Sequence, residues 1–252
     1  MTETEKPALT KVPEITLVFW IIKIAATTLG ETGGDAVTMT LNFGYLAGTL
    51  IFAVLFLALV LVQIRAKAFH PLIYWATIIA TTTVGTTLAD FADRSLGIGY
   101  AGGSSLLLAL LLGSLLVWHR AMGSISVRTV VSARAELFYW GTIMFSQTLG
   151  TALGDWTADT MGLGYTGGAA VFAGALLLLV AAYRFTTVSR TLLFWAAFIL
   201  TRPLGAVVGD FLDKPVDSGG LALSRIAASA MLLGLIGLCL LLFRQRAAET
   251  SH

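Results

Sequence analysis

Four aspartates recur at equivalent positions along the chain, and they are the clearest candidates for chemistry. Each follows a tryptophan by fifteen residues and a glycine by five residues. The sets are Trp20/Gly30/Asp35, Trp75/Gly85/Asp90, Trp140/Gly150/Asp155 and Trp195/Gly205/Asp210. Every set lies in an apolar segment, where an isolated charge is unfavourable, and carboxylates in such segments are candidates for ion or proton pathways.

Oxygen ligands of this kind suit hard divalent cations. Carboxylates, hydroxyls and carbonyls favour Mg²⁺, Ca²⁺ or Mn²⁺, whereas zinc and copper favour His or Cys. His70 and His119 fall in loops, His252 is the last residue, and the single cysteine, Cys239, excludes an internal disulfide and a thiolate metal cluster. The residues predicted to bind a metal are Glu31, Asp35, Asp90, Asp155 and Asp210.

The aspartates continue into polar stripes, because residues four apart share one face of a helix. The four stripes are Thr27/Glu31/Asp35, Thr82/Thr86/Asp90, Gln147/Thr151/Asp155 and Arg202/Ala206/Asp210. If all four face one axis, they form a polar path through much of the membrane. The pathway or gating residues are then Lys23, Thr27, Thr86, Gln147, Thr151 and Arg202. Alternatively, the stripes face one another in pairs and give two sites, or they pack against the even-numbered helices. In a purely structural interpretation, Thr and Gln hydrogen-bond neighbouring helices while the aspartates accept backbone or hydroxyl donors.

Two cations also lie within apolar segments. Lys23 and Arg202 should pair with carboxylates, for which Glu31 and Asp210 are the predicted partners. Lys23 could instead extend to the inner interface. Arg202 is either a gate, whose salt bridge alternates with the cargo, or half of a locked structural pair.

A second acidic set follows the first by three or four residues. Asp93, Asp159 and Asp213 are predicted to form an outer mouth that attracts cations. The alternative is ordinary solvated loop charge. Since the sequence contains no nucleophile–base pair, phosphate loop or basic nucleic-acid patch, we expect no enzymatic activity, no cofactor and no nucleic-acid partner.

The composition predicts the elements that must position these residues. With 57% hydrophobic and 12% charged residues and a mean hydropathy of +0.85, the chain has the composition of an all-α polytopic membrane protein. A helix of about 20 residues crosses a bilayer. Eight transmembrane helices are predicted, near 15–35, 45–65, 70–90, 101–119, 136–155, 166–184, 191–210 and 221–243.

Each repeat therefore contains two helices, and all four repeats share one orientation, related by an axis along the membrane normal. The spacing between repeats is 55, 65 and 55 residues, measured from Trp20 to Trp75, Trp140 and Trp195. This favours two pseudo-equivalent halves, 15–119 and 136–243, joined by a linker at 120–135. Segments 1–14 and 244–252 complete the chain. Lys and Arg cluster on the side of the termini, which predicts that both termini are cytoplasmic.

Small residues should bring the helices close together. Gly30, Gly85, Gly150 and Gly205 are each followed four residues later by Gly or Ala, a pattern that permits close helix contact. The second helix of repeats one to three follows a Gly-Tyr pair. The fourth repeat lacks this pair and contains Pro203, so we expect it to depart from fourfold symmetry.

Several sequence segments resemble those of a bacterial family of uncharacterised polytopic membrane-anchored proteins. They are Lys11-Val-Pro-Glu14, the run from Phe19 to Glu31, Ala135-Glu-Leu-Phe-Tyr-Trp140 and Thr201-Arg-Pro-Leu-Gly-Ala206. The resemblance covers nearly the whole chain and implies a multi-pass protein of the bacterial inner membrane. It carries no activity or binding residue. The segment from Gly30 to Asp35 is also similar to the Glu-x-Gly-Asp signature of manganese and calcium exchangers, although here an extra residue separates Glu31 from Asp35 and the other repeats lack the glutamate.

Three hypotheses for function follow. The first is a divalent-cation transporter, with manganese export as one form, that uses the intramembrane carboxylates. The second is a proton-coupled carrier of a small organic solute. The third is a non-transporting membrane scaffold or assembly partner. All three predict the lipid bilayer as a partner, the first two add a small ion or solute as cargo, and the oligomeric state is left open.

Overall fold

The computed structural model describes residues 9–249, and within them the chain is helical apart from two short strands. Eight long helices lie in this part of the chain. In order, the elements are β1 (Leu9–Pro13), α1 (Leu17–Asp35), α2 (Tyr45–Arg65), α3 (Pro71–Asp90), α4 (Tyr100–Met122), α5 (Ala133–Asp155), α6 (Gly164–Phe185), α7 (Arg190–Asp213), α8 (Arg225–Leu242) and β2 (Ala247–Glu249). A π-helical turn follows α1, α3 and α5, at Ala36–Thr40, Phe91–Ser95 and Trp156–Thr160.

Local sequence explains where the helices begin. Hydroxyl side chains cap α1, α5, α7 and α8 by accepting a hydrogen bond from a backbone N–H of the first turn. These residues are Thr16, Ser132, Ser189 and Ser224. Before α2 and α4, Gly44 and Gly99 adopt φ of 77° and 81°, a left-handed conformation that favours glycine. The predicted Gly-Tyr pairs therefore mark real helix starts.

Six of the helices in the described part of the chain are long and apolar enough to cross a membrane, and they identify the chain as a membrane-type helical protein. They are α2, α3 with its π-helical turn, α4, α6, α7 and α8. The helices α1 and α5 are not among the six, although α3 and α7, which are, also carry polar stripes. The prediction of eight membrane spans thus stays a prediction for α1 and α5.

The first helices of the four repeats form a closed ring, which we call the inner ring. In it α1 packs against α3, α3 against α5, α5 against α7, and α7 against α1. Gly30 lies against Thr82, and one turn later Gly34 lies against Thr86, so α1 and α3 run in the same direction. Because α3 packs against α5 across the central linker, the ring is continuous, and the proposed division at 120–135 into two halves stays a prediction.

Each second helix packs mainly on the first helix of the following repeat rather than on its own. Thus α2 lies on α3, α4 on α5, α6 on α7, and α8 closes the circle on α1. This outer layer leaves many large apolar side chains exposed, among them Leu57, Leu112 and Leu178. An exposed apolar belt around a buried ring is what a lipid environment requires.

Glycines hold the inner ring together. Each glycine of the repeat faces the polar stripe of the next helix, where an added Cβ would overlap that neighbour. The pairs are Gly30 with Thr82, Gly85 with Gln147, Gly150 with Arg202, and Gly205 with Thr27. The predicted close approach at small residues is confirmed, and it recurs around the whole ring.

The fourth repeat departs from the others, as expected. No π-helical turn follows α7 in the described chain; instead a loop with a short 3₁₀ turn, Val216–Ser218, leads to α8. The linker is also shorter than predicted, because α4 continues to Met122 and α5 begins at Ala133.

The two ends of the described chain meet on one face. β1 pairs antiparallel with β2, a short sheet that the sequence did not predict. The side chain of Lys11 lies 2.7 Å from Glu136 and donates hydrogen bonds to the carbonyls of Gln63 and Ile64 at the end of α2. We call this side the terminus face.

Candidate functional site

The polar stripes of the inner ring stack into four layers, and every side chain in them is buried. From the far face toward the terminus face they are the aspartate layer (Asp35, Asp90, Asp155, Asp210), the middle layer (Glu31, Thr86, Thr151, Ala206), the lower layer (Thr27, Thr82, Gln147, Arg202) and the lysine layer (Lys23, Ile78, Ile143, Phe198). The aspartate, middle and lower layers contain the residues predicted to bind metal and all the predicted pathway residues but one. The remaining pathway residue, Lys23, lies in the lysine layer.

Arg202 shows that the stripes meet at one axis. From α7, its Nη2 donates to Glu31 Oε2 of α1 at 3.0 Å, and also to the hydroxyls of Thr86 on α3 and Thr151 on α5. Thr86 in turn donates to Glu31 at 3.2 Å. One guanidinium thus contacts all three other inner helices.

Among the described residues, three cations from beyond the aspartate layer neutralise part of it: Lys214, Arg94 and Arg225, whose Nε atom lies 3.7 Å from Asp35. The Nζ atom of Lys214 lies 2.6 Å from Asp35 and 3.0 Å from Asp210, and it bridges α1 and α7. Arg94 pairs with Asp90 at 2.9 Å. Burial alone would lower the pKa of Lys214, but Asp210, Asp35 and Asp213 outweigh that effect and hold its pKa well above the usual value.

Asp155 differs from the other three aspartates. In the part of the chain that the structure describes, no Lys or Arg nitrogen lies within 4.0 Å of its carboxylate. It is nevertheless buried, within electrostatic range of Asp210 and Glu31. The aspartate layer is therefore chemically asymmetric despite its repeated sequence.

Among the described residues, carboxylate oxygens come together in two groups that could hold a metal. Oxygen atoms of Glu31, Asp35 and Asp90 lie within 4.8 Å of one another, and a second group joins Asp35 with Asp210 and Asp213. Both groups contain only hard ligands. Asp35 belongs to both, which places it at the centre of the candidate site.

The predicted outer mouth separates into three different environments. Asp213 is buried and pairs with Arg225 of α8 at 2.9 Å, so it extends the aspartate layer. Asp93 is half-buried beside Gly103 of α4, and Asp159 is exposed.

Three cations at this site were not predicted to have a role there. Lys214 and Arg94 each follow an aspartate by four residues, and this helical spacing was the available signal. Arg225 comes from α8, and no local pattern indicates that it reaches Asp213.

Lys23 occupies the bottom of the polar stack. Its side chain is 0% exposed, so it does not extend to the interface as one interpretation expected. The Nζ atom lies 4.2 Å from the centre of the Phe198 ring and has no hydrogen-bond partner among the described residues. Among the described residues, Lys23 does not form the expected ion pair with a carboxylate, and Glu31 pairs with Arg202 instead.

Aromatic side chains close the ring below Lys23. Phe19, Tyr74, Tyr139 and Phe194 are the residues that precede the four tryptophans, and they pack with Trp75, Trp140 and Trp195 into one cluster. The hydroxyls of Tyr74 and Tyr139 are hydrogen-bonded at 2.6 Å. We call this cluster the aromatic end. It separates the polar layers from the terminus face.

Comparison with known proteins agrees with the internal symmetry. Neither the curated proteins nor the solved structures contain a match to the chain. One family model matches four times, at residues 18–69, 73–124, 138–189 and 193–247. Each match begins near one of the repeated tryptophans and covers a first and a second helix. Since the matches cover most of the chain, the protein belongs to the family described as Repeat of Unknown Function (DUF347).

Proposed function

We propose that this protein is a multi-pass membrane carrier for divalent cations. The observation that carries the proposal is the meeting of Glu31, Asp35 and Asp90, whose oxygens converge within 4.8 Å in the buried inner ring. A carboxylate group of this kind matches the ligand preference of Mn²⁺, Ca²⁺ or Mg²⁺. It also lies where intramembrane acids usually serve transport.

In this proposal, the positively charged side chains of Lys214 and Arg202 pair with the carboxylates that would otherwise bind the transported cation. Lys214 neutralises Asp35 from the far face, and Arg202 neutralises Glu31 from below. An entering cation competes with these side chains for the same oxygens. Displacement of Lys214 opens the aspartate layer, and displacement of Arg202 from Glu31 lets the ion pass toward the lower layer. The structure thus corresponds to a closed resting state, with the aromatic end as the second barrier.

In this proposal all eight helices cross the membrane. α1 and α5 are in register with α3 and α7 in the inner ring, so they share the same depth. Lys and Arg residues are concentrated on the side of the termini, and by the positive-inside rule this supports cytoplasmic termini in a bacterial inner membrane. The aspartate layer then faces outward, and manganese export is the specific form that we favour.

A proton-coupled carrier of a small organic solute is the second candidate. The observation that favours it is the position of Asp155, a buried carboxylate with no Lys or Arg nitrogen of the described residues within 4.0 Å. Such a group can neutralise itself by taking up a proton, and it can release that proton when a cargo changes its surroundings.

Flux in proteoliposomes tests these candidates. Purified protein is reconstituted, and uptake of Mn²⁺, Ca²⁺ and Mg²⁺ is followed together with internal pH. The informative variant is Asp90→Asn, which removes a carboxylate from the candidate site, and the control is Glu14→Gln, which changes an exposed carboxylate outside the candidate site. We expect saturable metal flux in the wild type and the control and loss of flux in Asp90→Asn.

Other outcomes identify the alternatives. Proton movement without metal flux would overturn the cation proposal in favour of the organic-solute carrier. Folded protein that moves neither protons nor metal would point to a scaffold, in which the carboxylates only stabilise the helix ring.

A further inference from the structure

The region between Arg202 and the aromatic end contains buried polar atoms without partners. In the described part of the chain, no hydrogen-bond acceptor contacts Lys23 Nζ or Arg202 Nε and Nη1. The Oγ1 atom of Thr82 and both polar atoms of the Gln147 amide are also unpartnered. All four side chains are fully buried. Buried polar groups are normally satisfied, so this cluster calls for a missing partner.

These side chains belong to neighbouring positions in the ring. Thr82, Gln147 and Arg202 form the lower layer together with Thr27, as the cyclic glycine contacts show. Thr27 itself is satisfied, because its hydroxyl donates to backbone carbonyls of α1 and α7. Lys23 lies one turn below Thr27 on α1, at the bottom of the polar stack.

The charges in this region do not balance. The middle, lower and lysine layers contain two cations, Lys23 and Arg202, and one anion, Glu31. Glu31 accepts from Nη2 of Arg202, which leaves Nε and Nη1 of the guanidinium directed elsewhere. An isolated positive charge in a low-dielectric interior is strongly unfavourable unless it is paired.

The chemistry of the cluster selects the class of partner. In this closed arrangement, the two cationic donors disfavour a metal ion in the cluster. Water could satisfy the hydrogen bonds, but it would leave the charge unbalanced. A small anion satisfies both, since the ammonium, guanidinium, hydroxyl and amide groups can all donate to it. Below the cluster, Phe198 and the aromatic end exclude bulk water.

We propose that the inner ring contains a small-anion site, of the size and charge of chloride, formed by Lys23, Arg202, Gln147 and Thr82. The anion neutralises Lys23 and holds Arg202 from below while Glu31 holds it from above. The site shares Arg202 with the carboxylate group of the proposed carrier, because Arg202 also pairs with Glu31, but it requires no divalent cation. It stands whether or not the protein transports metal.

Halide binding tests the proposal directly. Purified protein in detergent with a chelator is titrated with chloride or bromide against gluconate at constant ionic strength, and the unfolding temperature is measured. The site variant is Lys23→Met, which removes the charge but keeps much of the side-chain volume. The matched control is Lys67→Met, which removes an exposed lysine on the terminus face. Anomalous diffraction from crystals grown in bromide locates the ion without relying on any variant.

We expect a saturable rise in unfolding temperature with halide in the wild type and in Lys67→Met, and no rise in Lys23→Met. The bromide peak should lie between Lys23 Nζ and the guanidinium of Arg202. Equal unfolding temperatures in halide and gluconate, or crystals without bromide at this position, would overturn the proposal. If Lys23→Met does not fold, the bromide map of the wild type decides.

Discussion

Arg202 and Glu31 form a buried ion pair with 3.0 Å between Nη2 and Oε2, although they stand in different layers of the inner ring. Arg202 belongs by sequence to the lower layer, but its guanidinium reaches one turn higher. Ala206 makes this possible, because it leaves the fourth position of the middle layer without a long side chain. Arg202 and Ala206 stand where the other repeats have different side chains, and the two differences belong together, because the small Ala206 leaves space for the long side chain of Arg202.

The first prediction concerns this pair. Breaking a buried ion pair by removing one partner typically lowers the free energy of unfolding by about 3–5 kcal/mol, because the other charge stays buried alone. We expect losses of this order for Arg202→Met and Glu31→Gln. The double variant should lose less than the sum of the two.

Unfolding in mixed micelles, followed by tryptophan fluorescence, measures the four members of this cycle. Arg190→Gln serves as the control, since Arg190 is exposed on the terminus face, where its guanidinium lies over the Tyr183 ring. Strictly additive losses would show that the two charges do not stabilise each other.

The second prediction compares two glycines of α5. At Gly150 an added Cβ would overlap the side chain of Arg202, whereas at Gly141 it would meet no described heavy atom within 4 Å apart from the adjoining residues and backbone of its own helix. Overpacking of a tight contact usually lowers stability by about 1–3 kcal/mol. We expect Gly150→Ala to lower the free energy of unfolding by this amount and Gly141→Ala to leave it unchanged or slightly raised. The same unfolding assay applies, and equal effects at both sites would contradict the ring packing.

Much of this architecture could be predicted from the sequence, because it depends on periodicity. The four-residue spacing of Thr27, Glu31 and Asp35 places them on one helix face, and the small residues marked the close contacts between helices. The starts of α2 and α4 could also be predicted, since the Gly-Tyr pairs act locally. These signals lie within one repeat and recur, so they need no knowledge of the tertiary structure.

Relations between repeats were less accessible. The packing of α8 on α1 brings Arg225 to Asp213. This packing depends on how the ring closes, and no local sequence pattern indicates it. Glu31 was among the predicted partners of Lys23 and Arg202, but that it pairs with Arg202 and not with Lys23 depends on the same closure of the ring. The terminal sheet is short and formed by segments more than two hundred residues apart, so its pairing had no sequence signal.

The third prediction concerns Lys214, whose ammonium group bridges Asp35 and Asp210. If it competes with cargo, its removal should strengthen cation binding. We expect Lys214→Met to bind Mn²⁺ about tenfold more tightly than the wild type, which corresponds to ~1.4 kcal/mol. Lys214→Arg should stay close to the wild type, because it keeps the charge.

Calorimetric titration of detergent-purified protein with Mn²⁺ checks this expectation, and Lys67→Met controls for a general loss of positive charge. Unchanged or weaker binding in Lys214→Met would contradict a competition between lysine and metal. It would indicate that Lys214 only joins α1 to α7.

The fourth prediction concerns the sidedness of the protein, on which the direction of transport depends. In a Cys239→Ser background, a single cysteine is introduced at Asp159, which is exposed near the aspartate layer, at Lys67, which is exposed on the terminus face, or at Ile143, which is buried in the lysine layer. A membrane-impermeant maleimide is added to intact cells and, separately, to permeabilised cells.

If the termini are cytoplasmic, Asp159→Cys reacts in intact cells and Lys67→Cys only after permeabilisation. Ile143→Cys should be protected in both conditions, because the aromatic end covers it on one side and the closed polar layers cover it on the other. Labelling of Lys67→Cys in intact cells would reverse the assigned orientation. Rapid labelling of Ile143→Cys from one side alone would show that this side of the ring is open to water. It would also show whether the aromatic end or the polar layers admit the reagent.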